Sequence, residues 1–271
     1  MRKNKNLVAI VFIVFVLAIL LNGSILTKAY PVYKVIGKDK IENSIKNFKT
    51  KEGKHFIIRY TEPDSKYVDL IINTAEKHYY DIIKDLGYTP KGKSTIIVYN
   101  NPDEMNKDFS LAKGENAMGI YLNGVISIES PSLWISPGQD VTKVFQYEGP
   151  VVHEFTHLVV DDIANGNYPI WFTEGIALLE EYRQDGYEWG KDLNYNGAPY
   201  TYEQLKNDFN SLDEMLAYKR AFQVTKAISD KYGMGTIREM LRDLGSGMSI
   251  ESSFYKETGL RLDVFVNNAK G

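Results

Sequence analysis

The stretch GPVVHEFTHLVVDD, residues 149–162, holds two of the chain's four histidines, His153 and His157. On a helix, positions four apart share a face, with Cβ atoms about 5–6 Å apart. Two imidazoles so placed can converge on one ion at Zn–N distances of about 2.0–2.1 Å. Val151, Val152, Phe155, Leu158, Val159 and Ile163 supply an apolar face to bury such a helix. Pro150 suits its first turn and Gly166 its far end. Glu154 stands beside the pair and can take a proton from a zinc-activated water without binding the ion, the general-base role of HExxH. The bland alternative is a coincidental histidine pair on a solvated face, so a third ligand has to be found.

The metzincin solution needs Gly at 160 and His at 163, and the chain has Val160 and Ile163. Asp161 continues the His153–His157 face, but three ligands in line on one helix surround an ion poorly; Asp161 suits a supporting role better. The stronger candidate lies in NYPIWFTEGIALLEEY, residues 167–182. Pro169 opens a second helix after a short turn at Asn165-Gly166-Asn167. Glu174 sits one turn inside it, among Trp171, Phe172, Ile176 and Ala177. A carboxylate there is costly unless paired or bound to metal; as a plain alternative, it is a helix N-terminal carboxylate favoured by the dipole. Two antiparallel helices joined by a tight turn can return residue 174 to 153 and 157.

HEFTH followed by W-F-x-E-G resembles the gluzincin (thermolysin-like, peptidase MA) superfamily of zinc metallopeptidases, and especially its small bacterial peptidase MA-like domains. LAYKRAFQVTKAISDKYG (216–233) resembles the helix that follows the zinc helices there, and the segment from 241 to 270 their terminal element; the likeness covers roughly residues 50–270. It implies that His153, His157 and Glu174 bind one zinc ion, with Glu154 as base. Thermolysin follows its third ligand, four residues on, with an Asp that orients a histidine. Leu178 stands at that position here, so another group, Asp161 or Asp162, has to orient the imidazoles. The family's oxyanion donor is a Tyr or His from later helices. No histidine follows His157, so Tyr218 at the family-like A-Y position takes the role, with Arg220 and Tyr182 as alternatives. In the family, substrate backbone pairs with an edge strand above the active-site helix; NAMGIYL (116–122) is placed for that, with Asn116, Ala117, Met118 and Gly119 as substrate-binding residues. Its Ala-Met-Gly start leaves room for an approaching backbone.

The rest of the chain sets the context. Arg2, Lys3 and Lys5 precede an uncharged apolar run, Leu7 to Leu21, extending with few polar residues to about Thr27. That is a membrane-targeting pattern. Cleavage before Tyr30 and an uncleaved anchor are both open, with the anchor preferred, and either places the domain outside the cytoplasm, secreted or membrane-anchored. There is no cysteine, so neither disulfides nor a lipid-modified cysteine hold it. A net charge of -3 gives no electrostatic case for nucleic acid as a partner.

Residues 30–53 read as a linker or a short leading helix. HFIIRY (55–60) and KSTIIVYN (93–100) read as strands flanking a helix with apolar residues at 68, 71, 72, 75, 79, 82, 83 and 86. MGIYLNGVISIES (118–130) reads as a hairpin turning at Asn123-Gly124. From Asp140 the pattern is helical, broken by a Gly/Asn/Tyr-rich loop at 185–200. The expected fold class is therefore α+β: residues 1–29 a signal or anchor, 30–53 a linker, and 54–271 one zincin-like domain with a sheet half (54–139) and a helical half (140–271). His55 and His78 read as structural.

The function expected is an extracytoplasmic zinc metallopeptidase acting on peptide or protein substrates. The alternatives are a non-catalytic zincin-like binding module and a zinc hydrolase of another substrate class. Retention of Glu154 speaks against a purely structural site. Glu115 is too weak a signal to choose between endopeptidase and exopeptidase.

Overall fold

Strand-forming runs and a helical run alternate in the first half of the chain, and the computed structural model, which describes residues 23–109 and 117–269, assembles them as α+β. Helix α1 (Gly23–Ser44) leads into β1 (Lys49–Glu52), β2 (Phe56–Tyr60), α2 (Val68–Leu86), β3 (Ser94–Tyr99) and α3 (Pro102–Phe109). Next come β4 (Gly119–Leu122), β5 (Val125–Glu129) and the one-turn α4 (Pro131–Trp134). The helical half runs through α5 (Val141–Glu148), α6 (Val151–Ala164), α7 (Ile170–Asp185), α8 (Tyr202–Asn207), α9 (Glu214–Tyr232), α10 (Met234–Gly245), α11 (Ile250–Thr258) and α12 (Leu262–Asn268).

The five strands form one mixed sheet in the order β1-β2-β3-β5-β4. β2, α2 and β3 make a parallel β-α-β unit, and β5 continues the parallel run. β3 is buried along its whole length, as its apolar run STIIVY requires. β4 returns antiparallel to β5 through Asn123 and Gly124, both at positive φ, 51° and 81°, the geometry that an Asn-Gly turn favours. That leaves β4 on an edge. Helices α2 and α6 pack on the sheet through Phe56, Tyr79 and Phe155, whose rings stack and meet edge-on at 5.0–5.8 Å. One apolar cluster runs from the sheet into the helical half without a break.

The stretch 30–53, read as a linker or a short leading helix, is helical over most of its length. It holds most of α1, tied to the body, and strand β1, which pairs antiparallel with β2 from Lys49↔Tyr60 to Glu52↔Ile57. β1 reads KTKE and is exposed on both faces, so it has no apolar alternation by which sequence could have revealed it. α3 likewise lies where no helix was expected. Much of the expected anchor, residues 1–22, lies outside the described residues, as do Glu115 and Asn116. Among the described residues no helix is long and apolar enough to cross a membrane.

Candidate metal centre

α6 and α7 lie side by side because Asn165, at φ 51°, turns the chain at the end of α6, and Pro169 restarts it. This packing brings one ligand atom each from His153, His157 and Glu174 within 4.8 Å of one another. His153 Nε2 is 3.1 Å and His157 Nε2 3.4 Å from the same Glu174 oxygen, Oε2. The imidazole rings stand edge-on, 4.7 Å apart. Gly175, the last residue of WFTEG, has a reason to be glycine: a Cβ there would lie 2.2 Å from Thr225 Oγ1 and 2.5 Å from the Ala221 carbonyl. Any side chain would push α9 off α7 and loosen the floor beneath Glu174.

The other imidazole nitrogens are held from behind. Thr173 Oγ1 is 2.7 Å from His157 Nδ1, and Glu181 Oε1 is 3.6 Å from His153 Nδ1. With Thr173 on His157 Nδ1 and Glu181 facing His153 Nδ1, both Nε2 atoms are left toward the space beside Glu174, the side from which an ion would be held. Glu181 lies seven residues, two turns, past Glu174, and it fills the role that Leu178 leaves open. Neither residue was expected; a carboxylate two turns on, facing the same side of α7 as Glu174, is the sequence signal that could have found Glu181.

Asp161 and Asp162, expected behind the imidazoles, are engaged elsewhere. Asp161 is buried and accepts from four side chains: Tyr30 at 2.7 Å, Tyr121 at 2.6 Å, Tyr168 at 3.0 Å and Lys34 at 2.6 Å. Lys34 also bonds Asp162. The physical reason is helix geometry: one further turn carries Asp161 beyond the ring edges and against α1, β4 and the loop before α7.

The charges follow from this company. Burial opposes a negative charge on Glu174, but His157 and His153 outweigh it and hold its carboxyl below the usual range. Burial likewise opposes a charge on His153, and Glu181 and Glu174 reverse that, raising it well above the ordinary imidazole value. Glu154 is pushed up by burial, only partly countered by His153 and His157. Tyr218 is raised by burial and then by the nearby Glu174 charge, so its phenol keeps its proton.

A cleft of about 600 Å³ opens over these groups, lined by Ala117, Met118, Gly119, Glu154, Tyr168, Trp189 and Tyr218 among others. Strand β4 crosses its roof. A Cβ on Gly119 would lie 2.7 Å from Glu154 Oε1 and 2.7 Å from Pro150 Cβ, so only glycine lets the strand pass this close. Trp189 brings the 185–200 loop to the cleft wall and stacks toward Tyr218 at 6.0 Å. Of the alternatives to Tyr218, Arg220 is buried and donates to the carbonyls of Tyr200, Ala269 and Val266, and Tyr182 packs on Phe222; neither lines the cleft. His55 pairs with Glu76 and stacks on Tyr79, and His78 faces Asp185 at 3.6 Å, both away from the cluster.

The donor set suits a divalent metal: two imidazole nitrogens and one carboxylate oxygen already converge, each imidazole is fixed from behind, and the cleft opens beside them. Comparison with known proteins agrees. The chain is 25% identical over 246 residues to the uncharacterized protein YhcO of Bacillus subtilis (strain 168), covering 84% of this chain and 73% of that protein. Residues 74–268 match the sequence profile of the peptidase MA superfamily, a span that contains both metal-centre helices and most of the sheet, and the chain belongs to that superfamily.

Proposed function

We propose that this protein is a zinc-dependent peptidase whose domain works outside the cytoplasm. The convergence of His153, His157 and Glu174 beside Glu154, under an edge strand, carries this reading. A bound zinc ion would supply Lewis-acid polarisation of the scissile carbonyl and lower the pKa of the attacking water. Glu154 takes the proton of that water and delivers it to the leaving amine; burial raises its carboxyl, which favours its holding the proton between the two transfers. Tyr218, held protonated, donates to the developing oxyanion. Among the described residues β4 pairs only with β5, and it offers its other side to an extended peptide, with Ala117, Met118 and Gly119 leading into it. The extracytoplasmic placement rests on Arg2, Lys3 and Lys5 ahead of the uncharged run. α1 runs unbroken through Thr27–Tyr30, with Thr27 buried, which favours a retained segment over cleavage there.

The test is zinc content together with cleavage of a peptide library by the wild type and by Glu154→Gln. We expect about one zinc per chain in both and cleavage by the wild type only. Equal cleavage by the two would remove Glu154 from the mechanism. A zinc-loaded wild type that cleaves nothing would make the domain a binding module.

A further inference from the structure

Helix α1 is fastened along one face and bare along the other. Its inner face sets Tyr30 and Lys34 on Asp161, and Ile41 joins Ile45, Ile97, Tyr99 and Val125 in a small core of their own. Gly37 lies against the Asn123 side chain at the tip of the β4–β5 hairpin. On the outer face Ile25, Leu26, Val32, Tyr33 and Ile36 are all exposed, the last at 65%, and Val35 is exposed at the edge of the groove between α1 and the body. Positions 25, 29, 32, 33 and 36 recur at the three-to-four spacing of a single helical stripe. Six of the sixteen large apolar side chains exposed among the described residues fall within these twelve positions. Isolated exposed apolar residues are ordinary, whereas a continuous stripe marks a surface that something covers.

We propose that this stripe lies on an anionic lipid surface, as an interfacial helix that fixes how the domain sits on the membrane. Three observations favour lipid over another occupant. The chain that precedes the helix carries the uncharged run Leu7–Leu21, so the stripe continues a segment that already suits hydrocarbon. Besides Lys34, which Asp161 and Asp162 hold on the inner face, residues 23–40 carry Lys28, Lys38 and Lys40 against the single acid Asp39, in a chain whose net charge is -3; an apolar face bordered by lysines is the composition of a helix lying in an anionic interface. Tyr33, 63% exposed within the stripe, is a residue that headgroup depth favours. Because Tyr30 and Lys34 tie α1 to Asp161 on the metal-centre helix, docking sets the orientation of the whole cleft. The proposal does not depend on the peptidase reading.

The chain has no cysteine, so Val32→Cys, Ile36→Cys and, as an exposed control on α11, Tyr255→Cys each carry one environment-sensitive fluorophore. The full-length chain is reconstituted in vesicles of phosphatidylglycerol and phosphatidylethanolamine, with and without lipids spin-labelled just below the headgroup. Fluorophores at 32 and 36 should shift to the blue and be quenched at least about two-fold more than the one at 255, as expected for a face buried to headgroup depth. Equal quenching at all three positions would overturn the proposal. So would ready disulfide cross-linking of Val32→Cys chains in the vesicles, which would show that a second copy covers the stripe. All three sites are exposed, so the substitutions leave the core intact.

Discussion

Glu174 on α7 and Asp161 on α6 are both carboxylates withdrawn from water, yet they keep different company. Glu174 meets two imidazole nitrogens, at 3.1 and 3.4 Å. Asp161 meets three phenols and an ammonium, at 2.6–3.0 Å. Imidazole can turn a lone pair toward a cation; an ammonium has none to turn, and the three phenols already give their protons to Asp161. The first cluster can therefore exchange its mutual contacts for an ion. The second is complete as it stands, and it joins α1, β4 and the loop before α7 to the metal-centre helix. The candidate metal site and the scaffolding cluster sit about one helical turn apart on α6.

The comparison breaks most sharply at the first cluster. Glu154→Gln should lower peptide cleavage by at least about 10³-fold while leaving zinc content near the wild-type value, since it removes a proton carrier and no ligand. Glu174→Ala should abolish stoichiometric zinc binding, measured by atomic absorption after dialysis; full occupancy would mean the third ligand lies elsewhere.

At the second cluster the effect should appear as stability. Asp161→Ala leaves Lys34 and three phenols facing a void, and urea unfolding should show a loss of about 3–5 kcal/mol with zinc stoichiometry kept in the folded fraction. A loss of zinc without a loss of stability would reverse the roles assigned to the two carboxylates.

Glu181→Gln tests the link between clusters and chemistry more gently. It replaces the carboxylate behind His153 by a weaker, neutral acceptor and should weaken zinc binding by about 10–100-fold in competition with a chelating dye. No change would show that His153 needs no support from Glu181.

Glu180 sharpens the contrast, because it is buried with only the Arg183 guanidinium, 3.8 Å from Oε1, as a nearby cation. Its Oε1 has no hydrogen-bond partner, and Gln184 donates to Oε2 at 3.2 Å. Burial, then nearby Asp85, pushes its carboxyl up to about 8. The folded protein therefore holds this proton between about pH 4.5 and 8, where the unfolded chain has released it, so its contribution to stability falls as pH rises through that window. Glu180→Gln should raise the melting temperature at pH 8 by roughly 2–4 °C and change little at pH 4.5. A flat difference between those pH values would show that Glu180 is ionised in the fold.

The grouping of His153, Glu154, His157 and Glu174 at one cleft is readable from sequence because it depends on spacing along a helix and on a turn of a few residues. Tyr218 was reached through family resemblance rather than spacing, and the structure sets it on the cleft wall beside Glu174. In the sequence Gly119 suggests room for a substrate, whereas in the fold a Cβ there would first meet Glu154 Oε1 beneath the strand, at 2.7 Å. Strand β1 stayed hidden because KTKE buries neither face.

The sequence by itself determined the helical phase of the two histidines, the carboxylate on the following helix, the β-α-β unit and the Asn-Gly hairpin. All of these are set by period and turn chemistry within a few residues. Only the tertiary structure decided which carboxylate stands behind which imidazole, why Asp161 is withdrawn from the metal centre, and which face of α1 is left bare. Those outcomes depend on partners up to 131 residues apart, Tyr30 and Asp161 the farthest among them, and a periodic pattern says which face a residue occupies without saying what meets it.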